Sequence, residues 1–392
     1  MLSSEDNALL TQVGAGTPGG ELLRRYWMPI CPAAEVTAAK PKRRVRVLGE
    51  DLVLFRDGTG RLGLLPEHCP HRHVSLYHGF VEEDGLRCAY HGWKFDVAGQ
   101  CLEQPFEPAN SPLKAEACRR AYKLQQLAGI VFAYLGPDPA PLLPRWETLV
   151  RNDGTRKINV LAVHRCNWLQ VQENAEDPVH TYYLHSHMFR VLGLSNTEGG
   201  YYYRPIENYD FALCKEAAWI GIRKIRVYGG DRPEREVGHP AIFPNLLMNP
   251  QGKEIATHWR VPIDDEHTYI IRCHFTPSDD GAEVVQAEAD IPVAYFPDGL
   301  LPDGERVLSS FPTQDQMAWE TQGAIFDRSR ELLGRSDRGI VMFRNLLRQQ
   351  IEAVRAGKEP AGVIRDPALN DVISFMLSQG QARMARELEA AK

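Results

Sequence analysis

Cysteine is scarce in this chain: there are eight in 392 residues, Cys31, Cys69, Cys88, Cys101, Cys118, Cys166, Cys214 and Cys273, with no framework spacing. That scarcity excludes a disulfide scaffold. Charge of one sign is scarce too, since 45 basic residues stand against 51 acidic ones and the formal charge is −6, spread along the chain. Without a basic stripe or an acidic tail, nucleic acid is not an expected partner; small molecules and other proteins are. No apolar run approaches the length that crosses a bilayer, and the opening MLSSEDNALLTQV lacks the basic start and apolar stretch of a secretion signal. A cytoplasmic protein with no membrane partner is therefore expected. Internal repeats and low-complexity segments are also missing, which excludes a repeat array.

What is present suits two domains, each long enough to bury a core. Residues 1–39 read as a helical opening segment packing on the later domain, with Leu9, Leu10 and Val13 on one piece and Glu21 to Tyr26 on a second. Between them, Gly14-Ala-Gly16-Thr-Pro-Gly19 matches the dinucleotide pattern G-x-G-x-x-G. No strand precedes it and Pro18 interrupts it, so a turn between helices is expected instead. From Arg44 short strand-like runs (RVRVLG, LVLFRD, LGLL) alternate with turn signals, giving a small antiparallel β domain over 40–140 that ends in the proline-rich stretch from Gly136 to Pro144. Residues 141–392 mix strand-like Ile222 to Val227, Ile255 to Val261 and Thr268 to His274 with helices, so the whole reads as α+β. In Ile340 to Val354 the apolar residues fall at helical spacing, which predicts an amphipathic helix used for packing.

Two cysteines differ from the other six. Cys69-Pro-His71 is followed after sixteen residues by Cys88-Ala-Tyr-His91, inside CPHRHVSLYHG and CAYHGWKFD. Each half supplies one thiolate and one imidazole, so the pair can close on a two-iron cluster with cysteines on one iron and histidines on the other. Two neutral imidazoles in place of thiolates raise the reduction potential of such a cluster. A structural Cys2His2 zinc site is the competitor, but zinc sites usually pair cysteine with cysteine first. Here the pairs are mixed. His68, His73 and His78 fit loop or supporting positions better than ligand positions.

A second constellation lies in NWLQVQENAEDPVHTYYLH, which carries Asn174, Asp177, His180 and His185. Two histidines five apart can aim at one metal only if the helix breaks or widens, and on spacing alone a structural role is the commoner outcome for such a pair. Far along the chain, in SSFPTQDQMAWETQGAIF, Thr313 with Gln316 can form a capping box that puts Asp315 in a first helical turn. A helix N-terminal acid needs no metal to be favourable there. Asp327 and Glu320 are the other carboxylates in reach, and His187 is an alternative histidine.

The loops around Cys69 and Cys88 resemble the Rieske motif, down to Cys-Pro-His-Arg and the His-Gly-Trp after the last ligand, and Asn174 to His185 resembles the N-x-x-D-P-x-H-x4-H motif of Rieske non-haem iron oxygenases. The resemblance spans nearly the whole chain and is closest to the oxygenase (alpha) components of the phthalate dioxygenase-like branch. It implies a Rieske [2Fe–2S] domain held by Cys69, His71, Cys88 and His91, followed by a catalytic domain whose antiparallel sheet is flanked by helices in the helix-grip manner. It implies a mononuclear Fe(II) on His180, His185 and Asp315. It gives Asp177 the task of linking His91 of one chain to His180 of the next, with Asn174 in support, in a homotrimer or stacked trimers. It further implies O2, a small aromatic substrate such as a phthalate- or phenoxybenzoate-like carboxylate, and a separate NAD(P)H-dependent reductase with flavin and iron–sulfur groups. The resemblance points to Arg223 and Arg226 as substrate residues. His239 stands where a second arginine would be expected in a phthalate binder, which leaves room for a monocarboxylate, an ether or an uncharged ring. A Rieske electron carrier without oxygenase chemistry would leave Asn174 to His185 and Asp315 without a purpose, and a zinc-dependent structural protein would be redox-silent.

Overall fold

Two short helices open the chain, Ser4–Thr11 and Pro18–Leu23, and the GAGTPG segment is the turn between them: the Thr17 hydroxyl accepts from the Gly20 amide and caps the second helix. The computed structural model describes residues 2–108, 110–194, 206–229, 234–251 and 253–375, with backbone alone at 234–237 and 251. Among the described residues no helix is long and apolar enough to cross a membrane.

Three antiparallel sheets build the first half. Lys42–Val47, Glu50–Arg56 and Leu62–Pro66 form one, and Phe80–Glu82, Gly85–Arg87, Lys94–Phe95 and Cys101–Glu103 form a second. The third runs in the order Trp27–Pro32, Ile130–Tyr134, Lys123–Leu127. Its first strand lies inside the stretch read as helical, because WMPICP carries two prolines that a central strand could not hold. Trp27–Pro32 is an edge strand with an irregular register between Pro29 and Cys31, where the missing amides cost no ladder bonds.

The second half is an eight-stranded sheet, in spatial order Ile206–Glu216, Trp219–Tyr228, Glu234–Ile242, Leu246–Gln251, Glu254–Pro262, Thr268–Pro277, Gly154–Val160 and Val293–Tyr295. Only the last pairing is parallel. Period-two alternation splits this sheet into two faces. Ile255, Trp259, Val261, Ile271 and Cys273 enter the main core, whereas Ile270 on the other face packs with Val171 and Trp319 from two helices, Trp168–Asn174 and Phe311–Glu320. The amphipathic helix spans Arg338–Arg355 and buries Phe343, Leu346, Leu347 and Ile351.

A buried ion network fixes the Trp168–Asn174 helix. Glu173 accepts from Arg328 Nη2 at 2.8 Å and Arg344 Nε at 2.6 Å, and Arg344 Nη2 also reaches Glu331 at 2.9 Å. Burial opposes charge on Glu173, but the two guanidiniums outweigh it and hold the carboxyl below its ordinary range. Glu173→Gln leaves the buried Arg328 without a carboxylate and takes one of the two carboxylates of Arg344, so a loss of about 3–5 kcal/mol is expected, read as a lower urea midpoint at pH 7. An unchanged midpoint would show that the network is not a structural clamp.

Candidate metal centres

Cys69 and Cys88 open two loops, each closed by its own backbone bonds: Cys69 N to Val74 O and His73 N to Cys69 O in one, Cys88 N to Trp93 O and Gly92 N to Cys88 O in the other. Gly92 has φ 72°, a left-handed turn that a side chain would strain, and it is this turn that follows His91. Beneath the loops lie Phe55, Leu65, Leu86 and Phe95. Both thiols are buried, and the His71 and His91 rings meet edge to face with centroids 4.5 Å apart. Trp93 stacks on His71 at 4.5 Å and 7° between planes, which fixes the ring.

The donor set fits a two-iron cluster. His71 Nδ1 is buried with no hydrogen-bond partner, a costly state that a metal bond would relieve. Burial first, then Cys88, pushes the Cys69 thiol up to about 12, so thiolate there needs a cation. Among the described residues the only group of three or more metal-type donors lying within 4.8 Å of one another is elsewhere, so these four do not converge on a single ion as a zinc site would demand.

That other group is His180, His185 and Asp315. The α-helix Trp168–Asn174, capped by Asn167, stops before Pro178, and the chain resumes as a wide π-helical turn over Thr181–His187. In an α-helix residues five apart would point about 140° away from each other. A turn with i→i+5 bonds nearly aligns them, and the ring centroids of His180 and His185 are 5.3 Å apart. Asp315 comes from the Phe311–Glu320 helix, whose cap is Ser310, accepting from the Thr313 amide at 3.4 Å. Thr313 is therefore not the cap: Pro312 fits the first turn, and Gln316 turns away to accept from Gly299 N and donate to Asp298 and Glu320. Asp315 stands one turn further in than the sequence spacing suggested.

Asp315 Oδ1 lies 3.3 Å from His185 Nε2. Burial disfavours charge on both, yet their contact dominates, holding Asp315 below the ordinary carboxylate range and His185 above the ordinary imidazole range. Gln314 Oε1 sits 2.9 Å from His185 Nδ1 and assigns it the proton, which leaves Nε2 free to bind a metal. Asn174 Nδ2 donates to Asp315 Oδ1 at 3.4 Å. Asp177 accepts from the amides of Val179 and His180 and places its other oxygen 3.5 Å from His180 Nδ1. Burial would raise the Asp177 carboxyl, but His180 and those amides bring it down to about 2. Glu320 is spent on Arg306, Asp327 is spent on Ser329, and His187 lies outside the converging group.

Of the expected substrate residues, Arg226 donates to Thr181 Oγ1 at 3.1 Å, beside His180. His239 is half-buried, and burial, then Lys224, Arg226 and Arg260, keep it neutral. Arg223 is not brought there. It alternates to the opposite face of its strand and donates to the carbonyl of Phe375. Four residues that sequence reasoning passed over share the face that looks toward the centre: Lys224, His258, Arg260 and Arg272. Their signal was readable as charged or polar residues at alternate positions, 258 and 260, 272 and 274, 224 and 226, in otherwise apolar strands. Gln314 gave no such signal.

A family model described as Rieske [2Fe-2S] domain matches residues 26–122, and one described as LigXa C-terminal domain like matches residues 303–391. The oxygenase subunit of 5,5'-dehydrodivanillate O-demethylase from Sphingobium sp. (strain NBRC 103272 / SYK-6) is 40% identical over 402 residues, covering 100% of this chain and 91% of the relative. The oxygenase subunit of phthalate 4,5-dioxygenase from Pseudomonas putida is 34% identical, covering 96% and 92%. The terminal oxygenase of carbazole 1,9a-dioxygenase from Novosphingobium sp. KA1 shares the fold, with a TM-score of 0.62 at 20% identity over 88% of this chain and 98% of that one. The α+β architecture, the two donor sets and these matches place the chain among the Rieske non-haem iron oxygenases, as an oxygenase component of the phthalate dioxygenase-like branch, a family that carries a [2Fe–2S] cluster and a mononuclear iron.

Proposed function

We propose that Cys69 and Cys88 hold one iron of the cluster and His71 and His91 the other, that His180, His185 and Asp315 hold the mononuclear Fe(II), and that the chain oxygenates an aromatic carboxylate by hydroxylation, dioxygenation or O-dealkylation. The observation that carries this is the convergence within 4.8 Å of two imidazoles brought together by a widened helical turn and one carboxylate from the helix Phe311–Glu320, the 2-His-1-carboxylate pattern that leaves room for O2. When bound, the cluster relays single electrons and the iron supplies O2 activation, which no side chain can do.

The protein's own residues set the conditions for that chemistry. Gln314 and Asp177 orient the two imidazoles, Asn174 orients the carboxylate, and Phe311, 4.7 Å from His185 and 5.0 Å from Phe189, walls the centre against water. Substrate class is drawn from the relatives, whose names include a phthalate dioxygenase and a dehydrodivanillate O-demethylase. Electrons come from a separate NAD(P)H-dependent reductase with flavin and iron–sulfur groups, in the cytoplasm. The Asp177 side chain keeps 24% of its surface exposed, so a group from another chain can reach it. In a trimer or stacked trimers that group is His91 of the neighbour, linked through Asp177 to His180. In this reading residues 1–39 are an opening segment that packs on the catalytic domain, 40–140 the cluster domain and 141–392 the catalytic domain.

Iron and sulfide analysis with EPR before and after dithionite tests it. About three irons per chain and a reduced signal of low average g are expected. A colourless zinc protein would sink the assignment, and about two irons with no product after Fe(II) is added back would leave an electron carrier.

A further inference from the structure

The sheet face opposite the main core carries more positive charge than its surroundings neutralise. Leu247, His258 and Arg272 lie side by side across three strands, and Arg260 is the diagonal neighbour of Arg272 on the next strand. Diagonal neighbours on one face are within reach of each other's long side chains. The face is fixed by Ile270, which packs against Val171 and Trp319, residues of the helices that carry Asn174 and Asp315. Asp315 is within electrostatic reach of both arginines.

Neither guanidinium has a carboxylate within ion-pair distance among the described residues. Arg260 is 4% exposed, and its Nε and Nη1 are buried with no hydrogen-bond partner. Arg272 Nε and His258 Nε2 are in the same condition. After Asp315, the acid that acts most on Arg260 is Glu176, which is fully buried and hydrogen-bonds neither guanidinium. Two adjacent unpaired guanidiniums are a costly arrangement, since Arg260 and the Nε of the half-buried Arg272 lose water without gaining a partner and each cation repels the other. The structural ion network around Glu173 shows what this chain does with a buried arginine kept for stability: Arg328 and Arg344 are both fully paired.

We propose that Arg260 and Arg272, with His258 beside them, are a receptor for a carboxylate of the aromatic substrate and hold its ring next to the His180, His185 and Asp315 centre. This rests on the reading of the chain as an oxygenase of an aromatic acid. Guanidinium forks match the planar carboxylate bidentately, and two of them cancel their mutual repulsion only when an anion lies between them. Lys224 and Arg226 add positive potential on the same face, and a divalent cation at the triad adds more, so a neutral ring of the same shape is rejected. The charge also orients the ring, because the carboxylate end is drawn to the sheet and the opposite end is left toward the metal.

Calorimetric titration of the iron-loaded protein with benzoate and phthalate, each against its amide isostere, tests the receptor. The acids are expected to bind about tenfold or more tighter than the amides. Arg260→Met and Arg272→Met should each weaken acid binding by about 10–100-fold and leave amide binding within about twofold. The ligand-free thermal midpoint should rise in both variants, because a strained unpaired charge is removed; a structural arginine would move it down. Equal binding of acids and amides by the wild type, equal loss of both in the variants, or a lowered midpoint would overturn the proposal. Iron content and the reduced-cluster EPR signal, which bear on the oxygenase reading, are expected to be unchanged by either variant, so failure of the receptor is distinguishable from failure of that reading.

Discussion

Asp315→Ala is expected to bring iron from about three per chain to about two, abolish oxygenated product, and leave the reduced-cluster EPR signal at wild-type intensity. The reasoning is one of donor count. Two imidazoles alone make a weak site for a hard divalent ion, and among the described residues Asp315 is the carboxylate that groups with both within 4.8 Å. Deleting a direct ligand should cost more than the 10–100-fold in affinity typical of changes to a ligand's supporting partners. Asn174→Ala and Gln314→Ala provide that milder comparison. Asn174→Ala removes the bond to Asp315 Oδ1 and Gln314→Ala the bond to His185 Nδ1 along with one to Leu308 O, and each should lower iron occupancy without eliminating it. His187→Ala should retain all of its iron. Full iron in Asp315→Ala, or loss in His187→Ala, would mean that the ligand set has been misassigned.

How legible was this site before the fold was known? The cluster loops were the most legible part, because their pattern is local: each loop carries its own cysteine and histidine, and short backbone bonds close it. The histidine pair was half-readable. Spacing of five makes no sense on an α-helix, and the widened turn over Thr181–His187 resolves it only because Pro178 has ended the preceding helix. Asp315 was proposed from the family resemblance, while its helical context was placed one turn out, since Ser310 and Pro312 start the helix and Thr313 does not. Strand order and sheet faces were the least legible. Arg223 and Arg226 are close in sequence but not on one face, and the cross-strand neighbours of Arg260, Ile270 and Arg272, lie on the next strand, so only the register between neighbouring strands shows which cations face the centre. The edge strand Trp27–Pro32 was hidden for a similar reason. Proline speaks against a strand only until one knows that the strand is an edge.

Asp177→Asn should leave both iron centres in place yet cut coupled turnover by about 100-fold or more, because the charge that partners an ionisable group is removed without changing shape. The substitution is nearly isosteric, and its oxygen can still accept from the amides of Val179 and His180, so the turn that presents His180 is preserved. None of the seven proposed ligands changes. What disappears is the negative charge facing His180 Nδ1, together with the acceptor offered to His91 of a neighbouring chain. If that link is the electron route, the slowed step is cluster reoxidation, and the visible absorption of a pre-reduced sample mixed with O2 and substrate will recover slowly while its iron content stays at the wild-type value. Wild-type coupled turnover in this variant would rule the route out. The pH dependence separates charge from shape. Because the folded-state carboxyl is depressed to about 2, Asp177 contributes its charge fully above the ordinary carboxylate range near pH 4 and loses it only as pH falls toward 2. The wild-type rate should therefore show no titration attributable to Asp177 between about pH 5 and 9. The deficit of the asparagine variant should likewise be constant across that window, whereas a deficit that vanished at one end would assign the effect to a different group.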